Sequence, residues 1–417
     1  MISRRTLLVS AAGVSSPAAP KPLILHIGPP IKGARSIDGR GALTFPPQGV
    51  AYRDNADAHR VWRGIHALAP SLVVDPNGND SLAKALQGKV PVARQAPKGA
   101  VKPSPIALAR AANMQRKPKQ LAEQMANVFG HDLPTVTYIP AFACMGRVRL
   151  GALSDVERIV APYVNGAQDS LAKASSSHFS GHLIFAQLYE QTRNPAYLAR
   201  VKAAADMAIA TKAMNNEMSD GVFMGCPIMA QAGKLTGEPK YFAASVDHLK
   251  FMQNLCLRKD GIYRHSPLDD AAWGRGNAFP ALGMALTLEA MGSSPDPHVL
   301  KSFRELMAAL RPLQDEDGLW HQVIDKPESY AEYSCTAMIG ASMHIAIRNK
   351  WIDRSYDRTV DRAWAAILAR SEPDGTLLDV CESTGKQKSE TDYFHRAAVW
   401  GKDPRGGAMA LLISTTR

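Results

Sequence analysis

The chain has 417 residues, 46% of them hydrophobic and 21% charged, with 49 Lys and Arg against 38 Asp and Glu for a net charge of +11. These proportions exclude wholesale disorder and a collagen-like repeat, and the length allows a core large enough to need no disulfide or metal staple. No uncharged apolar run reaches the ~18 residues of a membrane-spanning helix, so no membrane association is expected.

The chain begins Met1-Ile2-Ser3-Arg4-Arg5-Thr6-Leu7-Leu8-Val9. Two adjacent arginines precede a short apolar run to about Val14, and the small residues Ser15 to Pro20 follow. This is similar to a twin-arginine export signal. It predicts a periplasmic or secreted protein; without such a signal the protein is cytoplasmic.

Residues 21–100 read as a small α/β segment. Leu23 to Ile27 and Leu72 to Asp75 predict short buried strands, with helical spacing from Asn55 to Leu68 between them. The segment is too short for a dinucleotide-binding domain and has no Gly-rich phosphate loop after its first strand, so it carries no assignable role. Pro91, Pro97, Pro103 and Pro105 mark residues 90–105 as a linker. Residues 82–150 hold eleven Lys and Arg against Glu123 and Asp132. Such a stripe can attract nucleic acid or an acidic polymer, but no nucleic-acid-binding motif accompanies it, so it reads as solvated surface.

From about residue 106 to 417 the pattern is helix after helix. Apolar periodicity predicts twelve, over 118–129, 139–151, 155–165, 178–192, 195–213, 221–236, 239–257, 275–292, 296–311, 332–348, 354–370 and 404–416. The stretches Thr192 to Leu198 and Thr236 to Phe242 repeat one turn-and-helix start. Six pairs, with long polar segments before the second members, predict a closed (α/α)6 barrel rather than an open solenoid. Gly146, Gly181, Gly225, Gly276, Gly340 and Gly406 on the inner helices allow close backbone approach, at a cost of ~1 kcal/mol each in helix propensity.

The five cysteines form no CxxC pair, so neither a zinc site nor a redox pair is indicated, and the first four read as buried thiols. There is no HExxH, EF-hand loop or spaced histidine cluster, and no metal or cofactor is expected.

Four segments at the mouths of inner helices combine chemically capable side chains. Asp220 precedes a helix, where N-capping is the ordinary role of an aspartate. His265, Trp273, Arg275 and Asn277 place an imidazole, an indole, a guanidinium and an amide within thirteen residues, a set able to grip a sugar carboxylate and stack on its ring. Asp317 to Asp325 leads into Glu332 to Met338, and the last segment runs from Tyr393 through Arg396 to Asp403 and Arg405.

The ordered patterns D-G-x-F-M-x-x-P from Asp220, W-G-R-G-N from Trp273, D-G-L-W-H-Q-V-I-D from Asp317 and E-x-S-x-T-A-M from Glu332 resemble glycoside hydrolase family 105 and its cousin family 88, over roughly residues 115–417. The resemblance implies an (α/α)6 barrel acting on unsaturated acidic oligosaccharides left by polysaccharide lyases. It implies removal of a 4,5-unsaturated uronic acid by protonation at C4 and addition of water at C5, with Asp220 as general acid and then base. His265, Trp273, Arg275 and Asn277 would surround the sugar, with Tyr393 and Arg396 as further contacts. The chain departs from the pattern where an Asp usually precedes the second inner helix: it reads Ser175-Ser176-Ser177-His178, and His178 stands as a substitute polar contact or as an ordinary helix-start residue. The aromatic sugar contacts expected near the first hairpins are not evident. Two other readings follow: a glycosidase or lyase on saturated uronides, or a carbohydrate-binding protein that has lost catalysis, which the departures favour. Oligomeric state is not legible.

Overall fold

The computed structural model describes residues 20–39, 43–49, 52, 55–213 and 217–417; apart from Pro20, the twin-arginine stretch lies outside them. Strands β1 (Ile24–Ile27) and β2 (Arg35–Ile37), helix α1 (Ala56–Leu68), strand β3 (Leu72–Val74), helix α2 (Asp80–Ala85) and strand β4 (Val92–Ala93) form a parallel sheet in the order β2-β1-β3-β4. Helix α1 starts where the Asn55 side chain accepts the Ala58 amide and stops at Ala69, whose φ of 47° is left-handed. Its Val61, Trp62 and Ile65 pack with Leu25, Ile27 and Val73 of the sheet into a small core of their own. The expected linker is shorter than the prolines suggested. Val92 and Ala93 complete the sheet, and Pro105 opens helix α3 (Pro105–Met114) behind a Ser104 cap, since proline suits the first helical turn as well as a linker.

The remaining chain builds α4 (Pro118–Ala126), α5 (Tyr138–Arg149), α6 (Leu153–Val164), α7 (Ser176–Gly181), α8 (Leu183–Thr192), α9 (Pro195–Ala210), α10 (Gly221–Thr236), α11 (Pro239–Cys256), α12 (Gly274–Met291) and α13 (Pro297–Leu310). Strands β5 (Trp320–His321) and β6 (Ala331–Glu332), α14 (Tyr333–Arg348), α15 (Asp357–Ala369), β7 (Leu377–Cys381), α16 (Glu390–Phe394), β8 (Ala398–Gly401) and α17 (Pro404–Thr416) follow. The inner ring is α5, the pair α7–α8, α10, α12, α14 and α17. Each packs on the next, and α17 packs back on α5, which closes the (α/α)6 barrel. Helices α4, α6, α9, α11, α13 and α15 form the outer layer. Inner helices are buried on nearly all sides, whereas outer ones such as α13 bury one stripe.

Closure depends on small residues, as expected, though not at every glycine. A Cβ at Gly146 would meet the Leu411 side chain on α17 at 2.8 Å, and one at Gly283 would meet the Phe223 backbone of α10 at 2.8 Å. Gly225 instead makes room for Ala213 and His248, which lie toward the outer layer.

All six inner helices start at one end, and the loops before them form the mouth. Three of these loops are paired strands, not plain coil: Trp273 bridges Val323, β5 pairs with β6, and β7 pairs with β8 around an irregularity at Asp379. Strands of two to five residues show too few periods for sequence alternation to reveal. The N-terminal segment docks on these loops. Arg35 forks onto Asp317 at 2.6 and 2.7 Å, Tyr52 stacks on Tyr330 with centroids 5.0 Å apart, and Arg63 binds Asp379 at 2.6 Å. A cleft of about 780 Å³ lies between segment and loops.

The basic stripe is solvated only in part. Arg116 is buried and donates to the Leu368 and Ser371 carbonyls, and Arg147 donates to the Gly130 carbonyl. All five cysteines are buried free thiols, including Cys381 on β7. Among the described residues no helix is long and apolar enough to cross a membrane.

Candidate active site

Asp220 sits directly before α10, but it does not cap the helix. Its φ and ψ of −51° and −30° are already helical, and its carboxylate accepts no bond from the helix amides. A capping aspartate has extended backbone and accepts the amide two or three residues on. The ordinary capping role of an aspartate at this position is therefore not taken up, and the carboxylate faces His265 at the mouth instead. The turn that holds it is fixed by neighbours. The Ser219 amide donates to the His265 carbonyl at 2.9 Å, the Ser219 hydroxyl donates to the Gly276 carbonyl at 2.7 Å, and His248 Nε2 lies 3.0 Å from the Gly221 carbonyl.

His265 lies beneath Asp220 with no exposure to solvent. Its Nε2 is 3.3 Å from Asp220 Oδ1, and its Nδ1 is 2.8 Å from the Tyr393 hydroxyl. Neither Nε2 nor Oδ1 has a well-aligned hydrogen bond, although both are buried. The Trp273 ring meets His265 edge-on at 4.7 Å and carries the Arg275 guanidinium 4.8 Å from its centroid. Only 2% of Trp273 is exposed, so it forms a wall of the site and is not an open stacking platform. Trp273 Nε1 donates to Gln322 at 3.3 Å, and Gln322 donates to the Tyr393 carbonyl at 3.1 Å.

Arg275 donates to the Ser334 hydroxyl at 3.0 Å and the Cys381 carbonyl at 2.9 Å, while its Nε is buried without a partner. Burial opposes its charge, but Cys381, Tyr138, Glu332 and Asp220 around it outweigh burial and raise its pKa. Asn277 is not available to a ligand. Its side chain accepts the Tyr263 amide at 2.7 Å and donates to the Tyr263 and Trp273 carbonyls at 2.8 and 3.1 Å. It clamps the loop that carries His265, which corrects its expected place beside the sugar. Arg396 ties to the Ser383 carbonyl and so holds the loop between β7 and β8. His178 takes the helix-start role: its Nδ1 accepts the Ser175 amide at 3.0 Å in a reciprocal cap of α7, and burial lowers its pKa.

One residue the sequence reading missed is Tyr138, the first residue of α5. Its ring meets Phe223 and Phe279 edge-on, each at 5.6 Å. Burial raises its pKa; the Asp220 and Asp403 carboxylates raise it further, against Arg275 and Arg405. Tyr138 is thus an aromatic at the mouth of the first inner helix, where none was evident. The signal was positional: it opens α5 as Asp220 and Trp273 stand immediately before α10 and α12.

Two further carboxylates belong to this region, and both are engaged. Glu332 is fully buried, caps α14 through the Ser334 and Cys335 amides at 3.0 and 2.6 Å, and accepts the Cys381 amide at 2.9 Å. Asp403 caps α17 through the Arg405 and Gly406 amides at 2.8 and 3.0 Å. Among the described residues no three His, Cys, Asp or Glu side chains converge as a metal site.

Comparison with known proteins bears on the family and the fold. Residues 151–417 match the model of Glycosyl Hydrolase Family 88. An unsaturated rhamnogalacturonyl hydrolase of Bacillus subtilis is 33% identical over 136 residues, 31% of this chain and 38% of that protein. An unsaturated 3S-rhamnoglycuronyl hydrolase of Formosa agariphila is 24% identical over 42% of this chain and 52% of that protein. The matches thus span about a third to a half of the length of these relatives. A possible member of the GH105 family from Salmonella enterica shares the fold at a TM-score of 0.60 and 22% identity, covering 77% of this chain and 96% of that one. The unsaturated glucuronyl hydrolase of Bacillus sp. GL1 shares it at a TM-score of 0.53 and 14% identity, covering 71% and 94%. The chain belongs to glycosyl hydrolase family 88.

Proposed function

We propose that the protein is an exported hydrolase that removes a 4,5-unsaturated uronic acid from the non-reducing end of oligosaccharides produced by polysaccharide lyases. The substrate's end sugar is an enol ether. Asp220 gives a proton to C4, positive charge develops at C5 and the ring oxygen, and water adds at C5 while returning a proton to Asp220. The resulting hemiketal opens and releases the neighbouring sugar. Arg275, a buried cation against Trp273, is the proposed partner of the substrate carboxylate.

The observation that carries this reading is Asp220 itself, a nearly buried carboxylate at a helix start that caps nothing. Displacement at an anomeric carbon ordinarily requires two free carboxyl groups. Here Glu332 and Asp403 are both held in helix caps, so neither is free to serve as a second carboxyl beside Asp220, which fits an enol-ether hydration. The named activities of the B. subtilis and F. agariphila relatives support the same substrate class. A second reading, a carbohydrate-binding protein without turnover, is favoured by one observation. The stretch Ser175 to His178, where the family pattern has an Asp, carries no acid and uses Ser175 and His178 to cap the helix.

The test is a panel of lyase digests of pectin, ulvan, gellan, arabinogalactan and glycosaminoglycans, followed by ultraviolet absorbance of the enol ether. Loss of absorbance in at least one digest is expected. Oligosaccharide binding with no loss in any digest, at any pH, supports the binding reading instead.

A further inference from the structure

The contact between His265 and Tyr393 determines more than the position of a ring. His265 has two nitrogens and, when neutral, one proton. Nε2 faces Asp220 Oδ1 at 3.3 Å, and Nδ1 faces the Tyr393 hydroxyl at 2.8 Å. The two tautomers have opposite consequences for the acid. With the proton on Nδ1, Nε2 presents a bare lone pair to a buried carboxylate oxygen. That pairing is satisfied only when Asp220 carries its proton on Oδ1 and donates it to the ring, away from the pit. With the proton on Nε2, the ring turns a donor toward Oδ1, and the carboxyl proton must sit on Oδ2. Since Oδ1 is buried and the side chain is 12% exposed, Oδ2 is the oxygen that reaches open space.

Tyr393 decides between them. Its hydroxyl is buried and already accepts the Gln387 amide at 3.1 Å. Burial dominates and lifts the phenol's pKa to about 12, against the Gln387 amide and the neighbouring Ser266 hydroxyl, which lower it. The phenol proton needs an acceptor, and His265 Nδ1 at 2.8 Å offers a bare lone pair, whereas the Ser266 hydroxyl beside it brings a proton of its own. We infer that Tyr393 is a positioning residue: its hydroxyl donates to His265 Nδ1, fixes the ring as the Nε2–H tautomer, and so directs the Asp220 proton to Oδ2, the oxygen facing the pit. The inference rests on the proposed role of Asp220 as acid. When Oδ2 gives up its proton, an Nε2–H facing Oδ1 from 3.3 Å stabilises the carboxylate charge that forms, and water addition restores the proton. Tyr393 then has no contact with the sugar to make, in contrast to its expected role as a substrate contact.

The test uses the full chain labelled with 15N at histidine, without substrate, at neutral pH. The His265 signals are identified by their loss in His265→Gln. A bare Nδ1 and a protonated Nε2 are expected in the wild-type ring, and a changed tautomer balance in Tyr393→Phe. Turnover of Tyr393→Phe on an unsaturated uronide should lose at least ~10-fold in kcat with KM within about twofold, because the phenol acts through the ring and not on the sugar. A proton on Nδ1 in the wild-type ring overturns the inference, and that spectrum decides even where the variant does not fold. An unchanged ring spectrum with unchanged kcat in Tyr393→Phe overturns it as well. Because the tautomer is read without substrate, a protein with the expected ring but no turnover on any unsaturated uronide counts against the functional reading alone.

Discussion

Asp220 illustrates how a residue's surroundings and its helix position can give different answers. Helix starts favour aspartate because the carboxylate captures a free amide, and the loss of such a cap costs ~1 kcal/mol. At Asp220 the first amides of α10 go to the Met218 and Ser219 carbonyls instead, while the carboxylate faces His265. Asp220→Ala is therefore expected to melt as the wild type does, within about 0.5 kcal/mol. Asp403→Ala, which removes a real cap from α17, is expected to lose about 1–2 kcal/mol in the same denaturation experiment. Equal losses in the two variants would return Asp220 to a capping role. At this scale the sequence singled out Asp220, His265 and Arg275, which the structure brings together, because chemically capable side chains cluster in the segments before inner helices. It did not separate Asn277 from them, since an amide that clamps backbone and one that binds sugar look alike as letters. Tyr138 stayed hidden because one aromatic before an apolar helix has no signature until the ring of helices is closed.

Among elements, the β7–β8 hairpin has the largest part. Asp379 lies on β7 with a left-handed φ of 65° and is buried between Arg63 of α1 and Arg370, each at 2.6 Å. Two residues on, the Cys381 carbonyl accepts from Arg275 and the Cys381 amide donates to Glu332. The N-terminal segment thus braces the strand that holds Arg275. Asp379→Ala would leave two buried guanidinium groups without their shared partner, and a loss of about 3–5 kcal/mol in chemical denaturation is expected. A loss below about 1 kcal/mol would show that the brace is solvated. Close packing of α10 on α12 gives a second expectation. Gly283→Ala should cost about 1–3 kcal/mol, because its new methyl meets the rigid Phe223 backbone and not a movable side chain. The helices themselves were legible, since ten or more residues of apolar periodicity overwhelm local ambiguity. The hairpin, though it holds Arg275, was not, because its pairing joins residues about twenty apart and its strands are short.

For the whole molecule, closure of six inner helices places all the mouth loops at one end, and the ring is sensitive to acid. His182 joins α7 to α8, with its nitrogens 2.6 Å from the His178 carbonyl and 2.9 Å from the Ser170 hydroxyl. Burial pushes its pKa down to about 4 from the ordinary 6.5. The unfolded chain takes up a proton near 6.5 and the folded chain only near 4. Stability is therefore complete above the higher value and lost as pH falls toward the lower one, by roughly 3 kcal/mol. His182→Asn should flatten melting temperature against pH across that window; an unchanged slope would assign the acid sensitivity to other groups. The architecture was legible at this scale because pair count, glycine placement and mouth composition agreed independently. The seating of residues 21–100 was not, since docking through Arg35, Arg63 and Tyr52 depends on partners some three hundred residues away. The most direct measurement of the central claim is the rate of enol-ether absorbance loss for wild type and Asp220→Asn on one lyase-generated unsaturated oligosaccharide. A fall of about 10²–10⁴-fold with binding retained is the predicted result, and a variant that turns over at the wild-type rate would contradict it.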